Sequence, residues 1–190
     1  DFVLYDALNA SVTLHKRLTT PHDPSEAALL GLSELLELRD VSHADVSEIV
    51  HGTTLVSNAV IERKGVAVGL ITTAGFRDLL EMGTEQRYDI YDLFVSFPDP
   101  MVSRELRMEV QERMNAAGEV VTELNEDSVL SSAQKLVDAG CEAIAIVFLH
   151  SYANPTHEQR AAELIRAAHP DISISISSEV VAEMGEYQRI

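Results

Sequence analysis

Ala143-Ile144-Ala145-Ile146-Val147-Phe148-Leu149 is apolar at every position, and its reading decides the fold class. A strand sends alternate side chains to opposite faces, so such a run must be covered on both sides. That is the pattern of an inner strand in a parallel sheet with helices on each face. The flanks supply helices. Upstream, Asn125 can cap a helix in which Val129, Leu130, Ala133, Leu136 and Val137 recur at helical spacing, with Gly140 to end it. Downstream, Thr156-His157-Glu158-Gln159 has the form of a capping box and starts a helix running to about Ala168. Ile172, Ile174 and Ile176 then alternate with serines, as in a strand with one buried face. Strands and helices alternating in this way predict an α/β domain.

The same alternation extends towards the N-terminus. Phe2 to Tyr5 and Val12 to Leu18 read as strands joined by a turn around Asn9 and Ala10. Asp23-Pro24-Ser25-Glu26 is a helix start, followed by a stripe of Ala28, Leu32, Leu35 and Leu36. Ser47 to His51 reads as a strand stopping at Gly52, and a helix follows from Thr53 or Thr54 to Gly65. Val66 to Ile71 is a further apolar strand, ending in Thr72-Thr73-Ala74-Gly75 and a helix from Arg77 to Glu81. Residues 81–122 break the rhythm. They read as a long loop, rich in aromatics and prolines, followed by a hairpin inserted in the domain, with Leu106, Met108 and Val110 leading through Gly118 into Val120.

Composition narrows the function. Of 190 residues 46% are hydrophobic, enough for one sizeable core or two small lobes, and 31 acidic against 14 basic residues leave a formal net charge of −17. That field repels phosphate backbones and anionic headgroups, so neither a nucleic-acid partner nor membrane association is expected. No apolar run approaches the roughly 18 residues of a membrane span. The single cysteine, Cys141, permits no intrachain disulfide and no Cys-rich zinc site, and it reads as a buried small hydrophobe. A cytoplasmic location is expected. The first residue is Asp1 rather than Met, so the natural start is expected to lie upstream.

Two strand-end loops could carry chemistry. In His51-Gly52-Thr53-Thr54 a glycine and two hydroxyls meet a helix start, where free N–H groups favour anions. Alternatively Thr53 only caps the helix and Gly52 only makes the turn. Thr72-Thr73-Ala74-Gly75 repeats the arrangement, and if the strands are parallel both loops, with His150 to Tyr152, emerge on one sheet edge. Arg87 in the long loop could clamp a carboxylate or carbonyl oxygen, or simply pair with a nearby acid. The histidines show no metal-binding spacing, and no metal ligands are assigned. GxGxxG, GxxxxGK[ST] and GxSxG are all absent.

Six stretches, in order along nearly the whole chain, resemble the N-terminal region of the hydantoinase A/oxoprolinase family. They run from Asp1 to Asp6, His51 to Ala59, Gly69 to Asp78, Arg87 to Leu93, Phe148 to Pro155 and Ser177 to Val180. The resemblance implies an actin-like ATPase (ribonuclease H-like) α/β fold, a mixed sheet with flanking helices. It implies an enzyme that uses ATP, with Mg²⁺, to open a five-membered cyclic amide such as a hydantoin or 5-oxoproline. Phosphorylating the amide carbonyl oxygen makes a stable ring amide labile. The nearest rival within the resemblance is a subunit of an ATP-dependent ketone carboxylase, and a third possibility is a non-catalytic actin-like nucleotide-binding module. A small-molecule cyclic amide and a second, hydantoinase B-type subunit or domain are the expected partners.

The residues put forward are Asp1, His51 and Arg87 for catalysis and Gly52, Thr53, Thr54, Thr72, Thr73 and Gly75 for ATP. Family members carry a glycine-rich phosphate loop, Asp-x-Gly-Gly-Thr-Phe-Thr, just before the aspartate that Asp1 matches, and they continue far past the position of Ile190. The resemblance therefore implies an N-terminal piece truncated at both ends, 1–190, unable to bind ATP competently alone.

Overall fold

A turn built on Asp6 joins the first two strands of the chain. In this computed structural model, which describes residues 1–84 and 89–190, Asp6 Oδ1 accepts the N–H of Leu8 at 2.9 Å and of Asn9 at 3.2 Å, and Ala10 has φ 48°. These bonds hold the Asp6 carboxyl below the usual carboxylate range, the Asn9 side-chain amide contributing most. The turn closes an antiparallel ribbon of β1 (Phe2–Asp6) and β2 (Ser11–His15), so the second strand stops short of the expected Leu18. One ribbon face is half-buried. The other carries Val3, Tyr5, Val12 and Leu14, all more than half exposed.

Helix α1 (Pro24–Leu38) starts as its sequence predicts, with Asp23 accepting the Ser25 N–H at 3.0 Å and Pro24 in the first turn. Glu26 does not complete the capping box, because its carboxylate lies 3.1 Å from His22 Nε2 instead. The buried stripe is Ala27, Gly31, Leu35 and Leu36, turned slightly from the expected one. Gly31 sits where a Cβ would come within 2.3 Å of the Phe2 ring, so its missing side chain lets β1 and α1 touch. The segment read as a strand, Ser47 to His51, forms none. Ile49 and Val50 have strand-like side chains but stay 64% and 88% exposed, and no described strand pairs with them.

These elements belong to the first of two compact units, Asp1–Thr54 and Leu55–Ile190. The second begins with helix α2 (Leu55–Ile61) and is organised around four strands. They are β3 (Val68–Thr73), β4 (Arg107–Val110), β7 (Ala143–Val147) and β8 (Ser173–Ile176), in the order β4-β3-β7-β8 and parallel throughout. The apolar run is thus an inner strand. Phe148 and Leu149 leave the strand but remain buried. Helices α4 (Glu126–Asp138) and α5 (Thr156–Ala168) pack on the sheet through Val129, Ala133, Leu136, Ala161, Ala162 and Ile165, which meet Ile71, Val110, Ile144, Ile146 and Ile176. Cys141 joins this core, and burial pushes its thiol up from the ordinary value. Across the whole chain parallel and antiparallel pairings coexist, and the class is α/β with flanking helices.

Two expectations need correction here. Residues 107–110 are not the first arm of a hairpin; β4 is an edge strand of the parallel sheet, and the hairpin comprises β5 (Arg113–Met114) and β6 (Val120–Thr122). The reason is Arg107. Its side chain is 1% exposed and spends its guanidinium on Val102 O, at 2.9 and 2.6 Å, and on Glu81, anchoring a charged position inside the sheet. Secondly, Thr156 does not cap α5. It lies inside the first turn, and Asn154 Oδ1 accepts its N–H at 3.1 Å and its hydroxyl at 2.6 Å. Three short helices complete the unit: α3 (Leu79–Met82), α6 (Ser177–Val180) and α7 (Glu186–Arg189).

Candidate functional site

Because the four strands run the same way, their carboxyl ends share one edge, where open α/β sheets take ligands. Two buried carboxylates organise it. Glu112, just past β4, receives the Thr73 hydroxyl on one oxygen and lies 2.9 Å from His157 Nδ1 through the other. Thr73 Oγ1 also accepts the Leu149 N–H at 2.9 Å, which ties the end of β3 to the end of β7. Glu158, on the first turn of α5, accepts from the Phe148 N–H at 2.8 Å, the Ser177 hydroxyl at 2.6 Å and the Ser178 N–H at 2.9 Å. A buried carboxylate left unpaired costs several kcal/mol, so these donors are what make its burial tolerable.

Arg189 closes the brace from the other side. Its side chain is fully buried, with Nη1 donating to Ser151 Oγ at 3.1 Å and Nη2 to Phe148 O at 3.0 Å. Its Nε has no hydrogen-bond partner among the described residues. Between these anchors the chain turns at His150, which takes the left-handed φ of 55°. The His150 ring is not part of the brace. Its Nδ1 stands 3.4 Å from the Tyr152 hydroxyl and 3.5 Å from Glu186 Oε1, and the Arg189 guanidinium lies over the Tyr152 ring at 5.3 Å.

The residues put forward from the sequence fall in different places. Asp1 is exposed and pairs with Lys16 at 3.2 Å. His51, Gly52, Thr53 and Thr54 are exposed and form an irregular stretch before α2, with open space around Gly52. Arg87 lies outside the described residues. Thr72 and Thr73 are 2% and 1% exposed, and the Thr73 hydroxyl is committed on both sides as described. Gly75, with φ 90°, donates its N–H to Glu109 Oε1 at 2.7 Å. The Thr72–Gly75 turn therefore does not fit a phosphate: its donors point inward or at a carboxylate, and α3 is too short to supply a useful dipole. The Gly52–Thr54 stretch lies at the surface, just before α2. Among the described residues no group of three or more His, Cys, Asp or Glu side chains could hold a metal, and no helix is long and apolar enough to cross a membrane.

Sequence reasoning missed Glu112, His157, Glu158, Glu186 and Arg189. For Glu158 a signal existed: it is an acid inside the Thr156-to-Gln159 stretch that reads as a capping box, directly after the Phe148-to-Pro155 stretch, and its carboxylate turns into the sheet edge.

A parallel α/β unit with pinned loops at its carboxyl edge has the build in which open sheets take ligands. The chain belongs to the hydantoinase/oxoprolinase family, whose N-terminal region matches residues 1–169. It is 33% identical over 195 residues to the caprolactamase subunit alpha of Pseudomonas jessenii, covering 100% of this chain and 28% of that one. It is 32% identical over 213 residues to the acetophenone carboxylase gamma subunit of Aromatoleum aromaticum, with the same two coverages, 100% and 28%. The crystal structure of the ATP-dependent caprolactamase from Pseudomonas jessenii superposes with a TM-score of 0.84 at 33% identity, over 100% of this chain and 28% of that one. The chain thus spans 28% of the length of these relatives, and its relatives include ATP-dependent enzymes and subunits of larger assemblies.

Proposed function

We propose that the protein is the N-terminal part of an ATP-dependent amidohydrolase that opens a five-membered cyclic amide of the hydantoin or 5-oxoproline type. The observation that carries ATP-dependent opening of a cyclic amide is the match over the whole of this chain to an ATP-dependent caprolactamase, in sequence and in fold, and the similarity to 5-oxoprolinases favours the five-membered ring over the seven-membered one. ATP, with Mg²⁺, would supply a phosphoryl group to the amide carbonyl oxygen and so weaken a ring amide that water alone leaves intact. Gly52, Thr53 and Thr54, at the surface before α2, would meet its phosphates, and Mg²⁺ held largely by phosphate oxygens and water needs no protein cage. His51 and Asp1, both in the first unit, would serve catalysis, and Arg87 would orient the substrate through its planar fork. A hydantoinase B-type subunit or domain is the partner, and the cytoplasm, where ATP is plentiful, is the place of action.

The test is an assay of the full-length polypeptide with ATP and Mg²⁺ against hydantoin, 5-oxoproline and caprolactam. Ring-opened acid and phosphate should appear together. The similarity to an acetophenone carboxylase subunit favours a second reading, a subunit of a ketone carboxylase. Turnover with a ketone and bicarbonate, and none with the three amides, would establish that reading instead.

A further inference from the structure

We propose that His150 is the general base of the ring-opening reaction and that Glu186 is its positioning residue; this rests on the amidohydrolase reading above. The chain around His150 is pinned on each side. Phe148 is held by Glu158 and Arg189, Leu149 by Thr73, and Ser151 by Ser177 and Arg189, with hydrogen bonds of 2.8–3.1 Å. His150 alone in this run contributes nothing to the brace through its ring, yet it occupies a left-handed backbone conformation. Such a conformation costs free energy in a residue other than glycine and persists only where neighbours over-determine it, a situation that clusters at working sites.

The ring's surroundings fit a base. Nδ1 faces Glu186 Oε1 at 3.5 Å and the Tyr152 hydroxyl at 3.4 Å, while Nε2 has no hydrogen bond among the described residues and the side chain is 23% exposed. Glu186 Oε1 also lies 3.4 Å from the His150 N–H and 3.6 Å from Arg189 Nη2, so the carboxylate sits between a fixed cation and the imidazole. A carboxylate at Nδ1 selects the tautomer whose Nε2 lone pair is available. Distances of this length in a site without substrate shorten when the substrate closes it. With the carbonyl oxygen phosphorylated and its carbon doubly bonded to the ring nitrogen, a water oxygen bonds to that carbon, its O–H bond breaks and the proton passes to Nε2, while the carbon–nitrogen π pair moves onto nitrogen. The same proton then passes to the ring nitrogen as the C–N bond breaks, and a second water splits the remaining acyl phosphate into acid and phosphate.

The decisive variant is His150→Gly in the full-length protein, because glycine accepts the left-handed backbone without strain and leaves room for free imidazole. With ATP, Mg²⁺ and the amide that the wild type opens, kcat should fall by about 100-fold or more at an unchanged melting temperature, and added imidazole should restore part of it. Without ATP, the His150 Cε1–H resonance, assigned through the variant, should shift when that amide is added. Glu186→Gln should lower kcat with little change in KM and displace the acid limb of the pH profile. Activity kept within about threefold in His150→Gly, loss that imidazole does not relieve, or a resonance that stays put would each overturn the assignment. A wild type that opens none of the amides would sink the amidohydrolase reading itself, and this role with it.

Discussion

Gly69 lies on β3 opposite Leu136 of α4, where an added Cβ would stand 2.6 Å from Cδ1 and 2.9 Å from Cγ. Leu136 is fully buried and has nowhere to retreat. Gly69→Ala should therefore lower stability by about 1–3 kcal/mol, seen as a lower urea midpoint at unchanged slope. Glu158→Gln tests the other kind of position. The two oxygens of Glu158 face N–H and hydroxyl donors on both sides, so an amide –NH₂ must meet a donor with a donor. A loss of about 3 kcal/mol is expected, with thermal unfolding as the measurement, and an unchanged melting temperature would mean the brace is dispensable. These two residues show what single-letter reading can and cannot supply. Thr72 and Thr73 were visible as hydroxyls at a strand end, but the sequence could not say that the Thr73 hydroxyl is spent between Glu112 and Leu149, because those partners are 39 and 76 positions away.

The helices and inner strand of the α/β unit were legible because each element carries its own signal. Helix α4 has a capping asparagine, Asn125 Oδ1 accepting the Ser128 N–H at 2.9 Å, and an apolar stripe; β7 is apolar on both faces. Where a segment's fate depends on a remote partner, the local pattern misleads. Ser47 to His51 has a strand's composition but pairs with no described strand, and β4 has the alternation of a hairpin arm but lies parallel to β3. One link between helices offers a pH test. Arg160 of α5 holds Glu126 of α4 at 2.7 Å, and this hydrogen bond keeps the Glu126 carboxyl below the ordinary glutamate range. A depressed folded-state pKa adds stability above the unfolded value and loses it as pH falls through the folded one. An NMR titration should find Glu126 protonating at lower pH than a free glutamate, and Arg160→Ala should move it upward. Both groups are about half exposed, so the associated stability is small.

At the scale of the whole molecule the charge balance dominates. With 31 acidic and 14 basic residues, pairing every base would still leave an excess of negative charge, and the formal net charge is −17. The ion pairs that exist are mostly exposed: Lys16–Asp1, Lys64–Glu62, Arg104–Asp78 and Arg160–Glu126 all keep about half or more of each side chain in solvent. Exposed pairs are worth little, with a median of about 0–1 kcal/mol, so they cannot offset a field set by the unmatched carboxylates. Folding compacts those carboxylates and raises their mutual repulsion, which the extended chain relieves. Screening acts on the two terms in opposite directions. It weakens the few attractive pairs, but it weakens the long-range repulsion more, because the Debye length contracts from about 30 Å at 0.01 M salt to about 3 Å at 1 M. Raising NaCl from about 10 mM to about 0.5 M at pH 7 should therefore raise the melting temperature by a few degrees, about 2–4 °C for each kcal/mol recovered in a chain of this size. Sodium chloride is the suitable salt, since sulfate would add its own strengthening of apolar burial. A melting temperature that falls with added NaCl would mean that specific ion pairs, with Arg107–Glu81 and Arg189–Glu186 the most buried of the arginine pairs, outweigh the net repulsion.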